Sequence, residues 1–256
     1  MLTDTSLPAR ESSSRLVSLD ITLPTPHENL ALDEALLDQA ETVARGSGPV
    51  VELLRFWESP TYFVALGSTG RLAEEVDQQA CRRRGIPVLR RSSGGGTVLA
   101  GPGCLCFALI LSMDRHPELK DIHASYRAIL KRLAACLGVE GLSHRGFSDL
   151  ALGERKVSGN AQRRKSRTLL HHGTLLYDFD LEAMAAVLKD PSRQPDYRNR
   201  RVHADFTTNL AVDAEEIRLR ISRGWNVSEG HQPLEMPDIQ PLLREKYANP
   251  SWTDRF

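Results

Sequence analysis

A chain of 256 residues, 41% hydrophobic and 26% charged, has the make-up of one large globular domain and not of a disordered or fibrous protein. Its 33 basic and 33 acidic residues cancel, so no overall field draws in nucleic acid or an anionic membrane, and the basic runs Arg82-Arg83-Arg84 and Arg163-Arg164-Lys165 read as solvated surface. No apolar run approaches the ~20 residues of a membrane-spanning helix, and cysteines at 81, 104, 106 and 136 have no disulfide spacing and fit a reducing cytoplasm.

Residues 1–14 carry Pro, Ser, Thr and acids without an apolar core and read as a flexible leader, not a signal peptide. Arg15 to Leu23 alternates as a first strand until Pro24 and Pro26 break it. Glu28 to Leu37 reads as an amphipathic helix, with Leu30, Leu36 and Leu37 on its apolar face and Asp33 and Glu34 opposite. Val50–Trp57 and Tyr62–Leu66 read as two strands joined by a Glu58-Ser59-Pro60 turn. A helix is expected over Arg71–Arg84, ended by Gly85, then a short strand from Pro87 to Arg91. Cys104 to Leu111 is nearly unbroken apolar sequence, as in a strand buried on both faces.

A third helix is expected from His123 to Leu137, ended by Gly138. Asp149–Leu152 and Arg155–Gly159 form a hairpin about Gly153-Glu154. Thr168–Tyr177 follows as a strand, then helices over Leu181–Leu188 and Glu215–Arg223. The tail, residues 230–256, reads as loop with a short helix near Leu242–Lys246 and leaves no room for an accessory domain. Strands crowd the middle of the chain, so the fold class is α+β, a mixed sheet with helices, and not a regular βαβ series.

Two stretches carry chemistry: Arg90-Arg91-Ser92-Ser93-Gly94-Gly95-Gly96-Thr97-Val98 and, some sixty residues on, Arg155-Lys156-Val157-Ser158-Gly159. Consecutive glycines let backbone lie flat against a ligand, and the arginines and lysine supply charge for a carboxylate or phosphate. No Gly-Lys-Ser/Thr follows, which excludes a P-loop, and a strand instead of a helix comes next, which excludes the dinucleotide fingerprint.

These stretches, with His171-His172-Gly173-Thr174-Leu175-Leu176 and Glu28 to Glu34, resemble in order and spacing the signatures of lipoate–protein ligases, within the superfamily of lipoyl, octanoyl and biotin transferases. The resemblance spans residues 15–225 and implies a catalytic domain over 15–229 with the mixed sheet of biotin ligases and class II synthetase cores. It implies ATP-dependent activation of lipoate or octanoate to an acyl-adenylate, then transfer to a lysine of a carrier domain. Such carriers are 2-oxoacid dehydrogenase E2 subunits or the glycine cleavage H protein, and some short ligases need a separate accessory subunit. Lys156 is implied as catalytic, holding the acyl carboxylate and then the adenylate. Asp149 is implied as a Mg²⁺ ligand beside the nucleotide, with pairing to Arg145 or Arg155 as the structural alternative. Arg90 is matched to the arginine facing the carboxylate, with Arg91 beside it; strand alternation lets only one of them enter the site. Ser92, Gly94, Gly95, Gly96, Ser158, Gly159, His172 and Gly173 are implied around the acyl group, and Thr97 and Val98 at the nucleotide. His171 and His172 alternate faces, so one packs and one points inward.

The chain departs from the ligase pattern at Ala100 to Cys104, whose Gly-Pro-Gly-x-Leu is similar to the octanoyltransferase branch, at Gly67 to Arg71, and at Ser148, where the ligases carry Asn. An octanoyltransferase needs an activated cysteine. None lies between Gly141 and Arg155, and Phe206-Thr207-Thr208 fills the other branch's cysteine position. Cys104 and Cys106 belong to the apolar strand. A biotin ligase would show a Gly-Arg-Gly-Arg loop, which is absent; a non-catalytic acyl-binding protein is the remaining alternative. No interface stripe stands out, so a monomer is expected.

Overall fold

The computed structural model describes residues 16–48, 50–191, 194–227 and 234–256; the expected leader lies outside them. The strands are β1 (Val17–Asp20), β2 (Leu53–Trp57), β3 (Phe63–Leu66), β4 (Val88–Arg90), β5 (Val98–Ala100), β6 (Cys104–Ser112), β7 (Leu142–Arg145), β8 (Asp149–Leu152), β9 (Arg155–Arg164) and β10 (Thr168–Leu176). A seven-stranded sheet runs β1-β2-β6-β10-β9-β8-β7, and a three-stranded sheet runs β4-β3-β5. β1 pairs parallel to β2 and β3 parallel to β4; the other ladders are antiparallel. The class is mixed α+β, as expected.

Helices cover both faces of the large sheet. α1 (Pro26–Arg45) starts with a capping box, Thr25 accepting from the Glu28 N–H while the Glu28 carboxylate accepts from that of Thr25, and Pro26 suits its first turn. It shares one face of the sheet with the small sheet: Leu30 and Ala31 pack with Trp57, Phe63, Leu66 and Cys106. On the other face α4 (Ile122–Leu137) and α7 (Ala214–Gly224) press Ile129, Leu133, Ile217 and Ile221 onto Phe56, Phe107 and Leu109. β6, buried along its whole length, is the floor between the two cores. Gly138 ends α4 with φ 60°, a left-handed cap that glycine adopts without penalty.

The structure corrects three local expectations. β2 and β3 do not form a hairpin: Glu58–Pro60 carries the chain from the large sheet to the small one. The helix expected over Arg71–Arg84 is two, α2 (Leu72–Glu75) and α3 (Gln78–Arg84), because Val76 is extended and bridges Leu188 while Asp77 caps α3 anew. Asp33 and Glu34 are not on a solvated face of α1; they are 2% and 4% exposed, and each meets a cation, the buried Arg55 and the partly buried Lys246. The chain also folds two strands the sequence pattern did not mark, β5 and β7. After α5 (Leu181–Val187) and α6 (His203–Phe206), the C-terminal segment forms α8 (Gln240–Leu242), a wide turn over Leu243–Tyr247 and α9 (Pro250–Thr253) against α1 and β4.

Candidate active site

Two cavities meet where the small sheet leans over β9 and β10. The inner one, about 120 Å³, is walled by Leu30, Trp57, Phe63, Ala65, Cys106 and Phe107, with Asp33, Arg91 and His172 as polar groups. The outer one, about 840 Å³, is bounded by Glu75, Asp149, Tyr197, Arg198, His203 and Phe206. Gly96, Thr97, Val98, Ser148, Lys156, Gly159 and Thr174 line both. Lys156 therefore stands at the junction.

A β-bulge puts it there. The β8–β9 ladder pairs Leu150 with Ser158 but Ala151 with Lys156, so Val157 has no partner opposite. An unbroken ladder would set Val157 opposite Ala151 and turn Lys156 to the other face of the sheet. The extra residue instead sends Val157 into the core, fully buried, and brings Lys156 onto the face of Asp149. Lys156 Nζ lies 2.8 Å from Asp149 Oδ1, and the Tyr197 hydroxyl donates to Asp149 Oδ2 at 2.8 Å. Asp149 thus pairs with Lys156, and not with Arg145 or Arg155.

Asp149 does not fit the magnesium role. One of its oxygens faces an ammonium and the other takes a hydroxyl proton, and among the described residues no group of three or more His, Cys, Asp or Glu could hold a metal. An ion accompanying a nucleotide would rest on phosphate oxygens and water.

The glycine loop is held from within. Arg91 donates to the carbonyls of Ala65, Gly94 and Gly96 at 2.7–2.8 Å and to Ser93 Oγ at 3.0 Å. Burial lowers its guanidinium pKa to about 10, so it stays charged at neutral pH. Gly95 sits at φ 89°, which a side chain would strain. Gly94 and Gly95 lie outside the lining of both cavities; Gly96, Thr97 and Val98 line both. Thr97 donates to Glu75 Oε2 at 2.6 Å, tying the loop to α2.

Arg90, matched by sequence to the carboxylate-facing arginine, is not in the site. It is fully buried and donates to the carbonyls of Gly67, Gly70, Trp252 and Thr253. Strand alternation does admit only one of the two arginines, and it is Arg91. Ser92 is also turned away, buried against the Tyr247 hydroxyl.

His172 faces the inner cavity and His171 the opposite core, as alternation requires. His172 Nε2 is 2.6 Å from Ser93 Oγ and its Nδ1 is 3.6 Å from Asp33 Oδ2. Ser93 Oγ also accepts from Arg91 Nε, so the ring of His172 lies between the Arg91-held loop and the Asp33 carboxylate. Burial works against the Asp33 charge, but Arg55, followed by His172, overcomes it and holds the carboxyl below its usual range. Gly173 is required by close approach: a Cβ there would lie 2.1 Å from Asn160 Oδ1. Ser158 accepts from Asn160 Nδ2 and lines the outer cavity; Gly159 lines both. His171 packs against Phe107 and Tyr126.

Sequence reading missed Asp33, Arg55, Trp57, Ser93, Asn160 and Tyr197. Ser93 lies inside the first of the two chemistry-bearing stretches and Asn160 directly follows the second. Asp33 and Arg55 gave no local sign, because only the sheet brings α1 over β2.

The chain matches the model of the lipoyl protein ligase A/B catalytic domain over residues 25–219. It belongs to that family. It is 32% identical over 264 residues to the octanoyltransferase LipM of Carboxydothermus hydrogenoformans, covering 90% of this chain and 94% of that protein. It is 30% identical to LipM of Moorella thermoacetica, covering 93% and 97%. A crystal structure of lipoate–protein ligase A bound with ATP superposes with a TM-score of 0.76 at 25% identity, over 94% of this chain and 98% of that one. The bi-partite lipoate protein ligase of Thermoplasma acidophilum, described with its E2 lipoyl domain, gives 0.73 at 25% identity, over 93% and 96%. The family member described here is therefore an enzyme of the lipoyl and octanoyl transfer class. Among its described residues no helix is long and apolar enough to cross a membrane.

Proposed function

We propose that this family member activates lipoate or octanoate with ATP and passes the acyl group to a lysine of a lipoyl carrier domain. The observation that carries the reading is the place of Lys156, at the junction of an apolar inner cavity and a larger polar outer one. The inner cavity crosses the sheet along Thr174, Cys106 and Trp57, which are register partners on β10, β6 and β2. From β9 to β2 is three strand spacings, about 14 Å, room for an extended eight-carbon acyl chain whose carboxylate ends beside Lys156.

A carboxylate oxygen then attacks the α-phosphorus of ATP, the bond to the β-phosphate oxygen breaks, and pyrophosphate leaves. The carrier amine attacks the acyl carbon; the acyl–oxygen bond breaks, AMP leaves with the electron pair, and the amine proton passes to solvent. No protein nucleophile is needed. Lys156 neutralises charge on the carboxylate and then on the adenylate, and Arg91 fixes the loop around them.

Cysteine placement supports this route over an enzyme thioester. Cys81, Cys104 and Cys106 are buried and Cys136 lies on α4, away from Lys156. Cys106 does line the inner cavity, but its contact with the Cys104 thiol, followed by burial, pushes its thiol well above the usual range. That is the opposite of an activated nucleophile. A second reading, octanoyl transfer from an acyl-carrier thioester, is favoured by the octanoyltransferase relatives. Carrier candidates under either reading are E2 lipoyl domains and the H protein, with or without a separate accessory subunit.

The test is mass spectrometry of an apo carrier domain incubated with the enzyme and either ATP, Mg²⁺ and lipoate or octanoate, or octanoyl-carrier protein. Mass gain that needs ATP supports the ligase. Gain only from the octanoyl thioester, lost in Cys106→Ala, replaces it with the transferase.

A further inference from the structure

Tyr197 comes from the outer wall, in a single turn over Asp196–Arg198, yet its hydroxyl reaches the carboxylate that holds Lys156. Its ring is fixed independently of that bond, 5.1 Å from the Phe206 ring and under the Arg145 guanidinium at 5.3 Å. Burial, then the Asp149 charge, pushes the phenol far above its usual range, so it remains a donor at working pH. The same stretch of chain grips Lys156 a second time: the Thr208 N–H, just past Phe206, donates to the Lys156 carbonyl at 2.9 Å. The outer wall thus holds both the backbone of Lys156 and its counter-ion.

We infer that Tyr197 is a positioning residue for acyl activation: by anchoring Asp149 Oδ2 it leaves Oδ1 as a fixed point that aims the Lys156 ammonium at the cavity junction. Without the hydroxyl, Asp149 is free to turn about its side-chain bonds, and the ammonium loses the direction that the incoming carboxylate and phosphate require. The inference rests on the functional reading above, in which Lys156 is the reacting charge.

Tyr197→Phe keeps the ring against Phe206 and removes only the hydroxyl. A hydrogen bond to a charged group contributes roughly 1.5–3 kcal/mol, so kcat should fall about 10- to 100-fold, with the KM for the acid within about twofold and Tm close to wild type. Combined with Asp149→Asn, the variant should lose little more than Asp149→Asn alone, since both changes break one chain of contacts. Full kcat in Tyr197→Phe, or losses that simply add, overturn the inference; so does a fall in Tm that accounts for the lost activity. A readout independent of turnover separates this from failure of the functional reading. Lys156 in Tyr197→Phe should react faster than in wild type with a small amine-reactive ester, followed by peptide mass spectrometry. An unchanged rate sinks the role of Tyr197 even if wild type is active. A faster rate in Tyr197→Phe, with a wild type that acylates no carrier from either donor, upholds the contact and removes the proposed function.

Discussion

Lys156 and Asp149 form an ion pair that is mostly, but not wholly, withdrawn from water: the lysine side chain is 26% exposed and the aspartate 7%. A lysine so placed can trade its partner for a ligand. Lys156→Ala should therefore cost at least about a hundredfold in acyl transfer, while thermal unfolding stays near wild type; equal turnover by mutant and wild type would remove Lys156 from the mechanism. Cys106→Ala should leave ATP-dependent acylation within about threefold, because a thiol this far from ionising lends no nucleophile. At this scale the sequence was a good guide to which residue types gather and a poor one to which way they point. Lys156, Gly159, His172 and Gly173 meet as the motifs imply. Arg90 and Arg91 are neighbours in one motif, and choosing between them needed the position of the C-terminal segment, which claims Arg90 from 162 residues away.

Among the elements, the C-terminal segment has the largest influence for its size. Trp252 Nε1 donates to the Arg90 carbonyl at 2.7 Å, and Arg90 returns bonds to the Trp252 and Thr253 carbonyls. Lys246 and Tyr247 meet Glu34 on α1. Arg90→Ala leaves several buried carbonyls without donors, each costing about 1–3 kcal/mol, so a drop in Tm of several degrees is expected. Acid binding should weaken only as the glycine loop loosens; a variant with normal Tm and abolished acid binding would return Arg90 to the ligand. Element existence was legible because periodicity and caps are local: α4 with its Gly138 cap and the β8–β9 hairpin are as the sequence reads. Sheet membership was not. Nothing in Glu58–Pro60 distinguishes a hairpin turn from a crossing between sheets, and α1 reads as amphipathic although its carboxylates are buried against Arg55 and Lys246.

For the molecule as a whole, the two cores differ in what they tolerate. The α4 side is mainly apolar, and its buried His171 has an imidazole driven down to about 3 by burial, then by His172 and His144, from an ordinary 6.5. The unfolded chain takes up a proton over that interval and the native state does not. Stability from this group is complete above about pH 6.5 and declines as pH falls toward 3. His171→Gln should flatten the acid limb of a Tm–pH curve; parallel curves for mutant and wild type would show that other groups set it. The α1 side instead threads charge through its interior, as Arg55–Asp33–His172–Ser93, and ends at the reaction site. The bulge at Val157 joins these two halves, and it changes how length variants of the β8–β9 hairpin should be read. One residue inserted between Lys156 and Val157 would rotate the lysine into the hydrocarbon of the α4 core and the new side chain into the cavity, whereas deleting Val157 would make the ladder regular and leave Lys156 opposite Ala151. The insertion would be lost as protein before it was lost as catalyst, so in a mutational screen insertions at this point report on abundance, and point changes at 156 report on chemistry.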